Sequence, residues 1–357
     1  MKKILIILLV STLLCFTFSE ETTILIPKGS SSKVIAQVLK ENKLISSKTV
    51  FWLKVKMLGK KPIFYSGLMR IEKGLSTDKV IEQLQDRNRI EFIKVTIPEG
   101  YNLFQIDQLL SDKKITQPNE FYEFATNHET FVPLIQSLPY ISSLNSIASL
   151  EGFIFPDTYF FDFYTPLEQI ISTMINNYKQ KALPLYQEFL AKNVEVTAVV
   201  KYRKNKRGRT YKEVQYVKQP RAPKQDFYKL MTLASIVESE AMADEERPII
   251  ASVYLNRLRV HMALGSCPTI EYSRLLQGLP HKERLSLDDL KIDSLYNTYR
   301  NYGLTPSPIS NPGIKSIKAV LYPAKTNYYY FISKGDGTHH FSKSAAEHNL
   351  WQKKLLQ

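Results

Sequence analysis

The stretch LASIVESEA, residues Leu233–Ala241, carries two glutamates only two residues apart inside an apolar segment. The segment reads as one helix from Asp226 to about Met242, which we expect to form the floor of a cleft in the larger part of the protein. Advancing this helix by roughly 100° per residue places Glu238 inside the apolar arc. Glu240 falls at the polar edge of the same helix. Glu238 is therefore the residue that needs an explanation.

A carboxylate that faces apolar neighbours is unstable in its charged form, so Glu238 is expected to hold a proton. A carboxylic acid that is protonated near neutral pH is the general acid that enzymes cleaving glycosidic bonds require. The alternative is an ion pair between Glu238 and a buried arginine, for example Arg257, that only ties two helices together. Helical periodicity alone favours the ion pair, and both interpretations stay open at this point.

The composition is that of a globular protein, with 44% hydrophobic and 23% charged residues over 357 positions, enough for two or three domains. The net charge of +14 points to nucleic acid, but residues 201–224 alone carry ten Lys and Arg against one Glu. We therefore expect no nucleic-acid partner. Alternation in Val196–Tyr202 and Tyr211–Val217 predicts a basic hairpin in this insertion. The hairpin either contacts anionic lipid headgroups or acidic glycan, or it is simply solvated.

The first 19 residues have the layout of an export leader or membrane anchor. Two lysines precede the apolar run Ile4–Phe18, and two glutamates close it. The run is shorter than the roughly 20 residues of a comfortable transmembrane helix, so a cleaved signal peptide and a short uncleaved anchor both fit. The only cysteines are Cys15 and Cys267, so the exported body is expected to have no internal disulfide.

Three segments share one pattern of a short strand, a glycine turn and a helix with an i, i+4 apolar stripe. These segments are Ile24–Leu39, Met69–Leu84 and Val95–Leu110, aligned on Gly29, Gly74 and Gly100. The pattern is either a common strand–turn–helix unit or a small β-α module of the LysM type, which binds glycan chains. Residues 22–92 are the predicted extent of the LysM-like module.

The remainder, residues 93–350, predicts a larger mixed domain that contains the basic insertion. Its first part is mainly helical, interrupted at LEGFIFPDTYFF, Leu150–Phe161, where a glycine and a proline exclude one regular helix. A second helix is expected from near residue 244 through residue 259, and a strand at Tyr328–Ser333 precedes a turn and a short helix. The predicted fold class is α+β.

Several sequence blocks together resemble the endolytic murein transglycosylases of the MltG (YceG-like) family. In order, from about residue 22 to residue 350, the body of the chain contains VTIPEG, LEGFIFPDTY, LASIVESEA…ERPIIASVYLNRL, PTIEY, YNTYRNYGLTPSPISNPG, YYYFISKGDGTHHF and EHN. The resemblance implies an α+β enzyme anchored in the inner membrane by a single span. It also implies that a LysM-like module and a catalytic domain lie in the periplasm.

The resemblance further implies the reaction. Members of the family cut nascent peptidoglycan strands internally, between N-acetylmuramic acid and N-acetylglucosamine, and leave 1,6-anhydro ends without adding water. A glutamate protonates the leaving oxygen and then acts as base for the muramic acid 6-hydroxyl, so neither metal nor organic cofactor is needed. The family's catalytic glutamate corresponds to Glu238, in agreement with the helical projection. Peptidoglycan strands are then the substrate, the cut limits strand elongation, and peptidoglycan synthases are candidate partners.

The resemblance extends to candidate substrate-binding residues. Asn256 and Arg257 are expected to orient Glu238, to hydrogen-bond the sugar, or only to pack a helix. Residues expected to line or shape the cleft are Thr269, Asn297, Thr298, Tyr299 and His339, with Pro306, Asn311, Pro312 and Gly313 in a loop beside it. Glu151 and Asp157 either face the substrate or serve as capping and hydrogen-bonding groups. No metal site is expected among the C-terminal histidines, since no spacing fixes its ligands.

One position departs from the family pattern: where the family usually has aspartate, this chain has Cys267 in LGSCPT. A hydrogen bond near the cleft is therefore missing or replaced. No histidine that could activate the thiol is evident in the sequence, so Cys267 is expected to be a small buried residue. The departure supports an alternative function, a peptidoglycan-binding scaffold that has lost catalysis.

Overall fold

The computed structural model describes residues 20–59, 62–141, 143–192, 194–204, 210–220, 226–282 and 284–355. The described chain divides into two compact units. The smaller unit runs to Ile93 and includes Phe160–Thr165, and the larger unit comprises Lys94–Tyr159 and the chain from Pro166 onward. The predicted leader, residues 1–19, lies outside the described residues. None of the helices that are described is long and apolar enough to cross a membrane.

The smaller unit follows the order strand, helix, helix, strand, helix. Its elements are β1 (Glu21–Ile26), α1 (Ser32–Glu41), α2 (Lys48–Met57), β2 (Gly67–Glu72) and α3 (Thr77–Leu84). The two strands pair antiparallel, with Glu21 opposite Glu72 and Ile26 opposite Gly67. A serine caps each helix, because its side chain accepts a hydrogen bond from the backbone N–H three residues later. The inward faces of these elements bury one apolar core.

The remaining elements combine helices with short sheets. They are β3 (Ile93–Thr96), α4 (Leu103–Asp112), α5 (Glu120–Thr126), α6 (His128–Ile135), β4 (Thr158–Phe161), α7 (Leu167–Lys181), α8 (Leu183–Lys192), β5 (Val194–Lys204), β6 (Thr210–Pro220), α9 (Phe227–Glu240), α10 (Arg247–Arg259), α11 (Cys267–Leu276), α12 (Ile314–Leu321), β7 (Tyr330–Ser333), β8 (His339–Ser342) and α13 (Ala345–Leu355). Each sheet in the described part has two strands, and β5–β6 and β7–β8 are antiparallel. The predicted α+β class is confirmed.

The three predicted strand–turn–helix segments are also confirmed. In each, a strand and a helix flank a glycine in the left-handed region, with φ of 72° at Gly29, 76° at Gly74 and 81° at Gly100. Residues with a Cβ rarely adopt this conformation, so glycine is what permits so tight a reversal. The third of these turns lies between β3 and α4 in the larger unit.

Helix α9 is buried on almost its whole surface. Only Lys229 and Ser239 are exposed, and Glu240 is half-buried. Helices α10, α11 and α12 pack around it. The predicted burial of Glu238 is therefore correct, but the polar edge expected on the other side of the helix is largely covered by its neighbours. The helix ends at Glu240 rather than near Met242, because Ala241 has an extended backbone.

The basic insertion forms the predicted hairpin. Strands β5 and β6 pair antiparallel, from Val194 opposite Pro220 to Lys204 opposite Thr210. Each strand has 11 residues, so the pairing extends beyond the predicted segments. Residues 205–209 of the tip lie outside the described residues.

The predicted helix after α9 begins with a separate turn. A short 3-10 helix spans Asp244–Glu246, and α10 follows and ends at Arg259 as expected. Pro248 lies in the first turn of α10, where the missing N–H removes no helical hydrogen bond. The predicted strand near the C-terminus is confirmed with a later start, at Tyr330.

The larger unit is closely packed around Gly152. Its φ is +86°, and a Cβ added there would lie 2.6 Å from Cγ of Pro308. We expect Gly152→Ala to lower the free energy of unfolding by about 2–5 kcal/mol, because left-handed strain and overpacking combine. Urea denaturation of the two proteins measures the difference.

Gly278→Ala is the matched control. Gly278 has a φ of +70°, and nothing lies within 4 Å of an added Cβ. Only the backbone strain of about 1–2 kcal/mol is therefore expected. Equal losses in the two variants would contradict the close contact with Pro308.

Candidate functional site

A cavity of about 840 Å³ opens beside the C-terminal end of α9 in the larger unit. Its lining residues include Glu99, Asn102, Glu238, Ser239, Cys267, Glu271, Tyr272, His281, Lys282, Arg284 and Ser310. The volume is within the range of roughly 300–1,000 Å³ that is typical of small-molecule sites. Among the residues predicted to be catalytic or substrate-binding, Glu238 alone lines this cavity.

Glu238 is held on both carboxylate oxygens. Its Oε1 accepts a hydrogen bond of 2.8 Å from Nη1 of Arg247, and its Oε2 accepts one of 2.9 Å from the backbone N–H of Gly313. The side chains of Glu238 and Arg247 are only 5% and 8% exposed. A buried ion pair therefore replaces the apolar surroundings that were expected for Glu238. The alternative of an arginine partner is confirmed, but with Arg247 in the place of Arg257.

Arg247 is fixed by further contacts. Its Nη1 donates to Oγ of Ser316 at 2.6 Å, and its Nε donates to Asp244 at 3.0 Å. Asp244 in turn pairs with Lys315. These contacts join the start of α10 to α12 across the carboxylate of Glu238. Arg247 was not among the predicted site residues, because a single arginine at a helix start has no periodic signal in the sequence.

A second carboxyl, that of Glu99, lies in the wall of the same cavity and was also missed. Glu99 belongs to the turn before α4, and two backbone hydrogen bonds of 2.9 Å fix this turn: Gly100 N–H donates to Asn311, and Asn311 N–H donates to Tyr101. The residue is exposed, but its carboxyl lies against Gly313. Two carboxyls therefore flank one glycine at the edge of the cavity.

The surroundings favour the neutral form of Glu99. Partial burial of the carboxyl raises its pKa above the usual range, and the negative charge of Glu238 raises it further. Arg247 and Lys315 act in the opposite direction, but the net shift of the pKa is upward. The sequence does distinguish this residue. In the three aligned turns PKG, EKG and PEG, the residue before the glycine is lysine in the first two and glutamate, Glu99, in the third.

Glu151 is fully buried and does not line the cavity. Its Oε2 accepts hydrogen bonds of 3.1 Å from the backbone N–H of Leu103 and from the hydroxyl of Tyr272, and its Oε1 accepts one of 2.9 Å from Asn311. Burial raises its pKa to about 8, although these hydrogen bonds oppose the rise. Of the two roles expected for Glu151, the structure places it in the capping and hydrogen-bonding one.

Arg257, Tyr299 and His339 line a second cavity, of about 460 Å³. Nε of Arg257 donates to the carbonyl of Tyr329 at 2.6 Å, and burial of the guanidinium lowers its pKa. Nδ1 of His339 lies 2.7 Å from Oε2 of Glu246. The structure thus brings these three predicted residues together in a cavity that Glu238 does not line. Arg257 does not orient that glutamate as expected.

Glu240 and Cys267 also border the second cavity. Oε1 of Glu240 accepts hydrogen bonds from the hydroxyls of Tyr254 at 2.8 Å and Ser266 at 2.6 Å, and burial raises its pKa. The expected position of Glu240 at a polar edge is wrong, because Tyr254 and Ser266 cover that side of α9.

The expected burial of Cys267 is also wrong. The thiol is exposed, borders both cavities and lies 3.1 Å from the hydroxyl of Tyr299.

Four of the predicted cleft residues brace loops and line neither cavity. They are Asn256, Thr269, Asn297 and Thr298, each at most 6% exposed. The amide of Asn256 donates to the carbonyls of Thr326 and Tyr328 at 3.0 Å, and the amide of Asn297 donates to Leu290 at 3.0 Å and Ile292 at 2.8 Å. The two threonine hydroxyls share a hydrogen bond of 2.8 Å. Their polarity therefore satisfies buried backbone groups.

Asp157 lies away from both cavity walls. Its Oδ2 accepts hydrogen bonds from Nζ of Lys181 at 2.5 Å and from the amide of Asn177 at 2.6 Å. Its Oδ1 accepts one of 2.9 Å from the backbone N–H of Thr158 at the start of β4. The structure gives Asp157 a hydrogen-bonding position rather than a substrate-facing one.

The C-terminal histidines take part in local pairing. His340 stacks on Trp351 with ring centroids 3.9 Å apart, and His339 pairs with a glutamate as described above. Across the ranges that the structure describes, no three His, Cys, Asp or Glu side chains gather in a way that could hold a metal ion.

A pair of carboxyl groups in an open polar cavity is the arrangement found in enzymes that cleave glycosidic bonds. Residues 24–354 match the YceG-like family, and the chain belongs to this family. The resemblance seen in the sequence blocks is therefore confirmed.

Individual relatives cover most of the chain. It is 34% identical over 338 residues to the endolytic murein transglycosylase of Bacillus subtilis (strain 168), spanning 93% of this chain and 84% of that protein. It is 28% identical over 347 residues to the endolytic murein transglycosylase of Streptococcus pneumoniae serotype 2, spanning 92% of this chain but only 57% of that protein. The crystal structure of a yceG-like protein from Listeria monocytogenes aligns with a TM-score of 0.61 and 30% identity, covering 93% of this chain and 98% of the other.

Burial of Glu151 predicts a pH dependence of stability. The carboxyl keeps its proton up to about pH 8 in the folded chain, whereas it ionises near its usual value of 4.5 when the chain unfolds. Between these values the folded state binds more protons than the unfolded state, so the free energy of unfolding falls as pH rises. Below this window both states are protonated and nothing is lost, and above it the loss is complete and constant.

Glu151→Gln removes the titrating group and keeps the size of the side chain. We expect the variant to gain about 2–4 kcal/mol relative to wild type between pH 5 and pH 8, from 1.36 kcal/mol per pKa unit. Urea unfolding at the two pH values gives this difference, with the exposed Glu245→Gln as control. A difference between Glu151→Gln and wild type that is the same at both pH values would refute the assignment.

Proposed function

We propose that this protein is an endolytic lytic transglycosylase of peptidoglycan. It cleaves the bond between N-acetylmuramic acid and N-acetylglucosamine within a strand and leaves a 1,6-anhydro end, which limits strand elongation. The observation that carries the proposal is the carboxylate of Glu238, held at 2.8 Å by Arg247 and at 2.9 Å by Gly313 in the wall of an open polar cavity. The names of the Bacillus and Streptococcus relatives support the same activity.

The chemistry follows from one exchange of bonds at the anomeric carbon. The bond from C1 to the leaving oxygen breaks, and the 6-hydroxyl oxygen of the same muramic acid bonds to C1. One proton goes to the leaving oxygen and one comes from the 6-hydroxyl, so no water is consumed. The protein needs only correctly placed carboxyl chemistry, since the substrate supplies the nucleophile.

Fixed geometry is what the surroundings of Glu238 contribute. Both of its oxygens are hydrogen-bonded, and the Arg247 guanidinium is itself anchored to Ser316 and Asp244. A carboxylate anchored in this way cannot rotate away from the anomeric carbon of a bound strand. Such positioning accounts for a large part of enzymatic rate enhancement.

The smaller unit is proposed to be a LysM-like module that binds glycan. Its support is the order strand, helix, helix, strand, with β1 and β2 paired antiparallel. The apolar leader supports a single-pass anchor in the inner membrane, with the body of the protein in the periplasm. In that location peptidoglycan strands are within reach, and peptidoglycan synthases are candidate partners.

Mass spectrometry of reaction products tests the proposed activity. Full-length protein in detergent, as wild type and Glu238→Gln, is incubated with un-crosslinked glycan strands. We expect 1,6-anhydro ends from wild type and a rate at least roughly 100-fold lower from the variant, because an acid or base group contributes about 10²–10⁴. Glu240→Gln, two residues along α9 at the other cavity, serves as the control and is expected to stay within a few-fold of wild type.

Other products would change the assignment. Reducing ends from wild type would mean a hydrolase that activates water. Binding of strands without any cleavage would favour the scaffold that has lost catalysis, and attention would turn to Cys267.

A further inference from the structure

We propose that Glu99 is a second catalytic carboxyl of this cleft: it donates the proton to the leaving glycosidic oxygen, while Glu238 accepts the proton of the 6-hydroxyl. The proposal rests on the proposed function and divides between two residues a role that the family resemblance assigns to one glutamate. Four observations support it, and they concern position, accessibility, charge and the space at Gly313.

The first observation is that Glu99 and Glu238 meet at the same glycine. The N–H of Gly313 donates to Oε2 of Glu238 at 2.9 Å. A Cβ built on Gly313 would lie 1.9 Å from Oε1 and 2.1 Å from Cδ of Glu99. Both side chains line the same cavity, so both carboxyl groups are within the space that a bound strand would enter.

The second observation is that the two carboxyls differ in accessibility. The side chain of Glu238 is only 5% exposed, and both of its oxygens already accept hydrogen bonds. Glu99 is exposed to the cavity, and no hydrogen-bond donor of the described residues contacts its carboxyl. A leaving oxygen can therefore receive a proton from Glu99 without breaking an existing contact, whereas Glu238 is arranged as an acceptor.

The third observation is the distribution of charge around Glu99. Partial burial of its carboxyl and the neighbouring charges of Glu238 and Asp244 raise its pKa, while Arg247 and Lys315 oppose the rise. Arg247 and Lys315 both also form ion pairs with Asp244, whose negative charge offsets part of their lowering effect on the pKa of Glu99.

The other charged groups of the cavity are engaged elsewhere or act at longer range. Glu271 pairs with His281, and Lys282 pairs with Asp289. Arg284 lines the wall but is not among the groups that shift the pKa of Glu99. The surroundings therefore favour the protonated form of Glu99 beside a carboxylate that is paired with arginine, and a difference of this kind separates acid from base in glycosidases.

The fourth observation explains why residue 313 is a glycine. Its φ is −78°, a conformation that any residue adopts, so the backbone does not require glycine here. The three atoms nearest to an added Cβ all belong to the side chain of Glu99. The missing side chain at Gly313 thus makes room for the Glu99 carboxyl.

The reaction balances with the two carboxyls. Glu99 gives its proton to the leaving oxygen as the bond to C1 breaks. The 6-hydroxyl oxygen bonds to C1, and its proton passes to Glu238. Transfer of that proton from Glu238 to Glu99 after product release restores the starting state, with no water or other reactant consumed.

Leaving-group dependence distinguishes an acid from a merely structural residue. Full-length Glu99→Gln, Glu238→Gln and wild type are compared on un-crosslinked strands and on an aryl glycoside of a muramic-acid-terminated oligosaccharide, whose phenolic leaving group departs without protonation. We expect Glu99→Gln to lose about 100-fold or more on strands and to recover to within about tenfold of wild type on the aryl substrate. Glu238→Gln is expected to stay inactive on both, and Glu245→Gln to match wild type.

The pH profile gives an independent readout. Because Glu99 acts in its protonated form, wild-type kcat/KM on strands is expected to fall on the alkaline side as this group ionises, and Glu99→Gln is expected to lose that limb. Activity of Glu99→Gln within threefold of wild type on strands would overturn the proposal, as would equal losses on both substrates. Wild-type production of anhydro ends decides the proposed function separately, so the two failures are distinguishable.

A second pair of variants tests the placement without altering the acid itself. Gly313→Ala should displace Glu99 and reduce activity on strands at least tenfold. In a Glu99→Ala background the added methyl meets no carboxyl, so the same substitution should change the residual activity less than twofold. Equal losses in the two backgrounds would overturn the contact on which the proposal depends.

Discussion

The structure around the cleft depends on the buried side chain of Asn311. Its Oδ1 accepts hydrogen bonds from the backbone N–H groups of Gly152 at 2.9 Å and Ile154 at 3.0 Å, and its amide donates to Tyr101 and to Glu151 at 2.9 Å. These partners are about 160 and 210 residues away in sequence. One amide thereby joins three loops whose backbone groups would otherwise be buried without partners.

The position of the cleft follows from this junction. Asn311 fixes the turn that carries Glu99 and the loop that ends at Gly313, whose N–H donates to Glu238, so one network connects the positions of these two carboxyls. Glu151 completes it as a buried acid that caps α4 and is held by Tyr272 of α11. A neutral carboxyl avoids the desolvation penalty of a buried charge, which explains how a fully buried glutamate is tolerated there.

The ion pair between Glu238 and Arg247 is explained by orientation rather than by stability. Two ions removed from water are stabilised only when the remaining hydrogen-bonding groups are satisfied, and a well-packed apolar pair is often equally stable. Here Gly313, Ser316 and Asp244 supply those partners. The arrangement adds little to stability on this reasoning, and its benefit is a carboxylate with one orientation at the cavity wall.

Short-range sequence patterns were sufficient to predict much of the fold. The glycines of the three strand–turn–helix segments need a left-handed backbone, so their spacing located strands and helices directly. Alternation in the basic insertion identified the hairpin, and the helical projection identified Glu238 as a buried carboxyl. Each of these features depends on residues within one or two turns of the chain, which is the range over which periodicity is informative.

Residue type predicted less well which side chains line the cavities. Thr269, Asn297 and Thr298 have the polarity of sugar-binding groups, yet each is at most 2% exposed and satisfies backbone groups of nearby loops. A sequence does not distinguish a polar group that meets a ligand from one that meets a buried carbonyl, because both need the same hydrogen-bonding atoms.

By itself, the sequence determined the α+β class, the turns, the family and the one buried glutamate on α9. Only the tertiary structure decided that Arg247 rather than Arg257 is its partner, that Arg257 and His339 border a separate cavity, and that Glu99 shares the cleft. The physical reason is that these contacts follow no helical or strand period. Glu238 and Arg247 are 9 positions apart but belong to two helices with a short connection between them, and hydrogen bonds around the cleft join residues up to 210 positions apart. Their geometry exists only once the intervening chain is packed.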